Sequence, residues 1–277
     1  MTEGNSFYIR FWGVRGSIPS PGPHTMRYGG NTSCMEVICG DRRLIIDGGS
    51  GLRDLGLRLA AEPPSPIDVY FTHTHWDHVC GVPFFVPAYQ PDRQVRFHAG
   101  HLGQNSTVKH VLCEQMMAPL FPVPMAVFKQ ADFIDFTVGQ PTHFDDGVVL
   151  NTMPLNHPNG CCGYRIDYAG KRLCIITDVE HTEGEVDEDV VAFCQGGDIM
   201  IYDAMYTDDE YKKYIGWGHS TWQQALRVAD AAGVKTAVLF HHDPTHDDAF
   251  MDQVAREAET ARPGTKVAIE GMTLDLL

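Results

Sequence analysis

The sequence predicts a layered α/β domain in which sheets are covered by helices. Three observations carry that expectation. Short strand-like runs recur, each bounded by Gly, Pro or Asp; amphipathic helical patterns alternate with strands in the second half; and no repeat, low-complexity tract or linker divides the 277 residues. A single domain over 1–277 is therefore expected, long enough to bury a sizeable core.

In chain order the strand-like runs are "FYIRFWG", "CMEVICG", "RRLIIDGG", "IDVYFTH", "QVRFHAG", "DFIDFTVG", "VVLNTMP", "GYRIDYAG", "RLCIITD", "DIMIYDA", "TAVLFHH" and "TKVAIEG". Those of the first half follow one another with hairpin-like spacing. Helices are predicted over 185–195, 220–232 and 246–261. In the second of these, Trp222, Leu226 and Ala229 share one face, and Ser220 is suited to cap the start. Residues 82–130 are the irregular part, rich in Pro and aromatics. They fit a packed loop excursion or a lid that shapes a substrate cleft.

Hydrophobic content of 43% and charged content of 21% are ordinary for a soluble globular protein. The net charge of −15 argues against an open surface that tracks a nucleic-acid backbone, because such surfaces are basic. It also permits buried carboxylates neutralised by bound cations. None of the eight cysteines forms a CxxC pair, so neither a zinc ribbon nor a thioredoxin-type site is suggested. Several lie in apolar runs, as Cys174 does in "RLCIIT", where a thiol behaves as a small hydrophobe. "MTEGNSFYIRFWGVRG" lacks a basic region followed by a long apolar stretch, so no signal peptide is expected. No apolar run approaches the ~20 residues needed to span a bilayer. A soluble, reducing, cytoplasmic setting is the expectation.

The chemistry concentrates in "FTHTHWDH", where His73, His75, Asp77 and His78 follow an apolar run directly. At a strand end running into a tight loop, His73 and His75 can project together while Asp77 and His78 turn toward a neighbouring point. Imidazole suits zinc and related transition metals, and carboxylate suits harder cations. A first set this local cannot fill two metal sites. Three later strand ends offer further ligands: His157 after "TMPLN", Asp178 after "IIT", and His241 followed by His242 after "AVLF". Asp178 has two oxygens and could bridge two cations.

This set resembles the metallo-β-lactamase superfamily. The resemblance implies a four-layer αβ/βα sandwich with a dinuclear metal site between its two sheets. By resemblance, His73, His75 and His157 hold one metal; Asp77, His78 and His241 hold the other; Asp178 bridges them. Asp47 in "LIIDGGSG" matches an acidic residue that supports the ligands from behind. His241 is the ligand by resemblance, which leaves His242 behind the ligands or facing substrate. Zinc is the default metal, with manganese or iron compatible with the same ligands.

Within the superfamily, "GGDIMIYDAMY" and "GHSTWQQALRVADAAGVKTAVLFHHDP" resemble the ribonuclease Z and phosphodiesterase branch. There an acidic residue orients the histidine of an "H-[SA]-T" loop; the matching residues are Asp203 and His219. Phosphodiester hydrolysis needs a metal-activated hydroxide, neutralised non-bridging oxygens and a proton for the leaving oxygen. Two metals would supply the first two and His219, polarised by Asp203, the third. Asp77 is left with two roles, metal ligand and orienter of the water proton.

Ribonuclease Z carries a protruding Gly/Pro-rich arm for transfer RNA between the positions matched by His157 and Asp178. Here only "PNGCCGYRIDYAGKRLCIIT" lies between them. That departure and the acidic charge make transfer RNA unexpected as a partner, and small phosphodiesters such as cyclic nucleotides the expected substrates. Competing expectations are a glyoxalase II-type thioesterase, a ribonuclease Z-like nuclease, and a non-catalytic metal-stabilised binding or sensor module. A true β-lactamase fits less well, since its counterpart of Asp178 is normally not Asp. Related enzymes are often dimers, so a homodimer is compatible. Arg15 or Asn31 would lie near a phosphate, unless "RGSIPSPGP" and "GGNTS" are plain turns. His24, His181 and His246 are expected at the surface.

Overall fold

The computed structural model describes residues 6–277. In chain order the first strands are β1 (Phe7–Gly13), β2 (Cys34–Cys39), β3 (Arg42–Ile46), β4 (Ile67–Phe71), β5 (Val95–Ala99) and β6 (Ala131–Asp135). They are followed by β7 (Thr142–His143), β8 (Val149–Leu155), β9 (Cys161–Tyr168), β10 (Lys171–Ile176), β11 (Ile199–Asp203), β12 (Thr236–Phe240), β13 (Lys266–Val267) and β14 (Thr273–Asp275). The strands form two seven-stranded sheets, ordered β14-β1-β2-β3-β4-β5-β6 and β13-β12-β11-β10-β9-β8-β7. Each sheet combines antiparallel hairpins with a parallel half, β3 through β6 in one and β10 through β13 in the other.

Alternation along the strands sorts side chains into layers. Leu44 and Ile46 of β3 meet Leu173 and Ile175 of β10, Ile201 of β11 and Phe240 of β12 in a core between the sheets. The neighbours Ile45, Val69 and Phe71 point the other way, under α1 (Leu52–Ala60) and, further along the chain, Val108–Gln115. Taking Trp76–Val79 as α2, that second helix is α3. On the other side, Cys174, Ile176, Met200 and Leu239 pack under α4 (Glu188–Cys194), α6 (Trp222–Ala231) and α7 (Asp248–Ala261), while α5 (Asp208–Tyr211) is a single turn. The result is the helix–sheet–sheet–helix sandwich expected, with three apolar layers built by period-two patterning.

Two local expectations change. Helix α6 starts two residues later than expected: Thr221, not Ser220, is its cap and accepts from the Gln224 N–H, while Ser220 bonds His181. The 82–130 segment is not an irregular excursion throughout. It contributes β5 to the sheet and buries Val82, Phe85, Phe97, Val108, Leu112, Met125 and Phe128 in one core layer. Among the described residues no helix is long and apolar enough to cross a membrane.

Candidate metal centre

The site collects where parallel strands end. Asp47 follows β3, the "THTHWDH" loop follows β4, Asp178 follows β10 and His241 follows β12. Asp47, Asp178 and His241 have φ of 64°, 59° and 65°. Left-handed backbone at a non-glycine residue is disfavoured by roughly 1–3 kcal/mol, so three such residues around one point signal a site held in shape by its surroundings.

Three groups of potential ligand atoms adjoin: the first of His73, His75 and His157, the second of Asp77, His78, Asp178 and His241, and a third of Asp178, Asp203, His219 and His241 that shares two members with the second. In the second, five separations are each 3.3 Å. They are His78 Nε2 to His241 Nε2, both of these to Asp77 Oδ2, His78 Nε2 to Asp178 Oδ2 and His241 Nε2 to Asp178 Oδ1. A tetrahedral cation bound at about 2.0–2.1 Å spaces its ligands by roughly 3.3 Å, so the cluster has the dimensions such an ion requires. In the first, His75 Nδ1 and His157 Nε2 are 3.0 Å apart, and His73 Nε2 is buried without a hydrogen-bond partner. A buried nitrogen without a partner, beside two others, is an arrangement that a cation satisfies and water-free protein does not. Asp178 Oδ1 lies 3.8 Å from His73 Nε2 as well as 3.3 Å from His241 Nε2, so this carboxylate reaches both groups.

Electrostatics divide the groups the same way. Burial pushes His73 well below the usual imidazole value, and burial also lowers His157, leaving lone pairs free. In the second group burial opposes charge but is outweighed. Asp178, Asp77 and Asp47 hold His78 well above its usual value, and Asp178 and Asp77 raise His241 to about 9. Burial likewise works against ionised Asp77 and Asp178, yet the neighbouring histidines hold both well below the carboxylate range.

The supporting contacts fix which nitrogen faces the centre. Asp47 accepts from Ser33 Oγ, from the Thr72 N–H and from His78 Nδ1 at 2.8–2.9 Å, so His78 presents Nε2. His157 Nδ1 donates to the Gly218 carbonyl at 2.7 Å and presents Nε2. The Ser17 N–H donates to Asp77 Oδ2 at 2.7 Å, which directs that oxygen toward His78 and His241. Asp203 accepts from His219 Nδ1 at 2.9 Å and from the Met205 N–H at 3.1 Å. The His219 ring stacks on His241 at 4.9 Å, which leaves its Nε2 as the free edge.

Two glycines permit the close packing. A Cβ on Gly16 would lie 2.4 Å from the His241 ring, and one on Gly218, at φ +87°, 2.4 Å from His157 Nδ1. Gly218→Ala is therefore expected to displace His157, lowering stability by about 1–3 kcal/mol and reducing bound metal. Thermal unfolding and metal analysis of that variant check both effects.

All eleven site residues expected from the sequence are brought to this region except His242. Its Nε2 donates to the Ala268 carbonyl at 2.8 Å and burial lowers it to about 3, so it faces neither metal nor substrate. It anchors the 14–16 loop through its backbone instead. Arg15 is fully buried and donates to the carbonyls of Gly29, Asp243 and His246, so it ties two loops together rather than standing exposed in a cleft. Asn31 is engaged with Glu270 and Ser50. His181 and His246 are buried rather than superficial, bonding Ser220 and Glu210 respectively, whereas His24 is exposed as expected. Sequence reasoning missed His101, which meets Thr74 Oγ1 at 3.0 Å, and Glu180, whose carboxylate accepts from the Gly216 and Gly218 N–H groups. Both are joined to the site only by tertiary contacts.

A four-layer αβ/βα sandwich with adjoining histidine and aspartate clusters between its sheets defines the class of metallo-β-lactamase-fold hydrolases. The sequence profile of the β-lactamase superfamily domain matches residues 42–242, and the chain belongs to that family. Within it, the chain falls in the ribonuclease Z and phosphodiesterase-like branch. It is 23% identical to a ribonuclease Z of Bradyrhizobium sp. (strain ORS 278), over 95% of this chain and 97% of that one. That alignment spans 319 positions, more than the 277 residues here, so the relative holds residues with no counterpart in this chain. Among solved structures, the metallo-β-lactamase fold protein YhfI from Bacillus subtilis superposes with a TM-score of 0.73 at 18% identity, covering 98% of this chain and 99% of that one. A diphosphatase of the PhnP family superposes with a TM-score of 0.69 at 17% identity, covering 98% and 97%.

Proposed function

We propose that this protein is a dinuclear metal-dependent phosphodiesterase acting on small phosphodiesters, cyclic nucleotides among them. The observation that carries the proposal is the Asp203–His219 pair, 2.9 Å apart and stacked on a residue of the second cluster. His73, His75 and His157 would hold one divalent ion, and Asp77, His78 and His241 the other, with Asp178 between; zinc suits this donor set, and manganese or iron can use it. When bound, the ions supply an acidified water and charge neutralisation at the phosphoryl oxygens.

The chain's own residues supply the rest. Asp203 accepts the Nδ1 proton of His219, which orients the ring and leaves Nε2 as the nitrogen that can carry the transferred proton. His219 then delivers that proton to the leaving oxygen. Asp47 and the Gly218 carbonyl keep His78 and His157 in the tautomers whose Nε2 lone pairs face the centre. The Ser17 N–H on Asp77 Oδ2, with His78 and His241 at 3.3 Å from the same oxygen, favours Asp77 as ligand over Asp77 as base. Buried free thiols accord with a reducing, cytoplasmic setting.

At the mouth, Trp76 and Trp217 are 61% and 63% exposed and follow or precede His75 and Gly218 directly. A flat leaving or base group can stack there, and such stacking is worth about 1–3 kcal/mol. Trp217→Ala is expected to raise KM for a nucleoside or aryl phosphodiester about tenfold with kcat little changed, read from steady-state kinetics.

RNA is the second reading, favoured by the nearly full-length similarity to ribonuclease Z, which leans against the expectation that transfer RNA is an unlikely partner. Against it, His157 and Asp178 are joined by the tight β9–β10 hairpin, leaving no arm. Metal analysis with a screen of cyclic and linear phosphodiesters and a precursor transfer RNA tests both. Two ions per chain and turnover of the small esters support the proposal; turnover of RNA alone would replace it.

A further inference from the structure

The layer between the sheets is aliphatic and aromatic along β1 to β3, where Phe7, Ile9, Phe11, Val37, Leu44 and Ile46 point inward. The pattern breaks on β4 and β5. Their other face sends Ile67, Val69, Val95 and Phe97 into the helix-covered core, so alternation turns Asp68, Tyr70, Arg96 and His98 toward the second sheet. Asp68 and His98 are buried, and nothing in the hydrolytic site uses them. Polar groups inside a sandwich carry a desolvation cost, and where local pattern and fold disagree the disagreement marks function more often than accident.

These residues line a cavity of about 500 Å³ at the open edge of the sandwich, with Leu150 and Thr152 of β8 across from them. The volume lies within the range of small-molecule sites. From Asp68 to the start of the metal-binding loop the chain runs five residues of extended strand, on the order of 16 Å, so the cavity is separate from the metal centre.

The wall has a definite chemistry. Asp68 accepts from Arg96 at 2.6 Å and from His98 Nε2 at 2.8 Å, and these bonds hold both side chains in place. The His98 ring lies parallel to Tyr70, 4.1 Å away at 10°. Arg42 lies over the Phe144 ring at 3.9 Å, and its Nε is paired with Asp146. Of the charged lining side chains, two are guanidinium groups and one is a carboxylate. Each guanidinium is paired with one carboxylate, Arg42 with Asp146 and Arg96 with Asp68, through only part of its donor set. Among the described residues the terminal nitrogens of Arg42 and the Tyr70 hydroxyl have no protein partner, while Phe136 and Phe144 add flat apolar wall.

We propose that this cavity is a second ligand site, distinct from the metal centre, that binds a small planar aromatic anion. The flat ring would lie against the aromatic walls and the anionic group would take the unused guanidinium donors of Arg42 and Arg96.

The test uses the metal-loaded protein and three probes: naphthoate, which has both ring and charge; naphthylmethanol, which lacks the charge; and cyclohexanecarboxylate, which lacks the aromatic ring. Binding is followed by amide chemical shifts. Naphthoate is expected to saturate, with shifts confined to residues such as His98, Gln140, Thr142 and Thr152, and to bind at least about tenfold more tightly than either other probe. Arg42→Gln should weaken it about tenfold and Thr142→Trp, at the exposed rim, should block it, each with unchanged metal content and phosphodiester turnover. Saturable binding unaffected by both substitutions would place the probe elsewhere and overturn the proposal. Equal binding of naphthylmethanol would overturn the anionic class, and no saturation at millimolar probe would overturn the site itself. Because the readout is binding, its failure is independent of whether the metal centre cleaves phosphodiesters.

Discussion

His219→Ala is expected to retain both metals and lose phosphodiesterase turnover by about 10²-fold or more, the contribution of a positioned general acid. The geometry makes the two effects separable. His219 Nδ1 is committed to Asp203 and lies 3.7 Å from Asp178 Oδ1, whereas the 3.3 Å cluster closes without it. The loss should fall on kcat, because the proton is delivered as the leaving oxygen departs. An ester whose leaving group needs no proton should suffer less than a nucleoside ester. Unchanged kcat for both esters would remove His219 from the mechanism. Asp203→Asn should give a partial version of the same loss, since the amide keeps an acceptor for Nδ1 but can also turn its NH2 toward the ring and release its orientation.

Asp178→Ala is expected to reduce metal content from two ions to one or none, with turnover falling below that of His219→Ala. Its carboxylate lies within 3.8 Å of potential ligand atoms in both clusters. Removing it also strips His78 and His241 of the charge that most raises their affinity for a cation or proton. Metal analysis by atomic emission, with the variant's folding checked by circular dichroism, reads this directly. Full dinuclear occupancy would contradict the bridging assignment.

The layered fold was legible because its strands are short apolar runs closed by Gly or Asp, and each of the twelve runs corresponds to a strand. The two- and three-residue strands β7 and β14 lie below the length at which alternation can be read. Helix α1 escaped because Gly56 and several charges interrupt it. Its glycine has a packing cause: a Cβ there would meet Phe85 at 2.8 Å. Within the site, the candidate ligands were legible because they sit just past strand ends. The supports were not. Ser17, His101 and Glu180 act through contacts between distant segments, and Arg15 looked like a phosphate binder because three carbonyls that bury it come from two separate loops. Within 82–130 the run "QVRFHAG" was legible as β5, while the prolines before it open two short turns whose packing into the core periodicity does not show.

The most direct test of the central claim is the ratio of kcat/KM for a cyclic nucleotide, whose leaving oxygen needs a proton, to that for a glutathione thioester, measured on one metal-loaded preparation. A phosphodiesterase built on Asp203 and His219 predicts a ratio well above one that collapses toward one in His219→Ala. A thioester preference that His219→Ala leaves intact would contradict it.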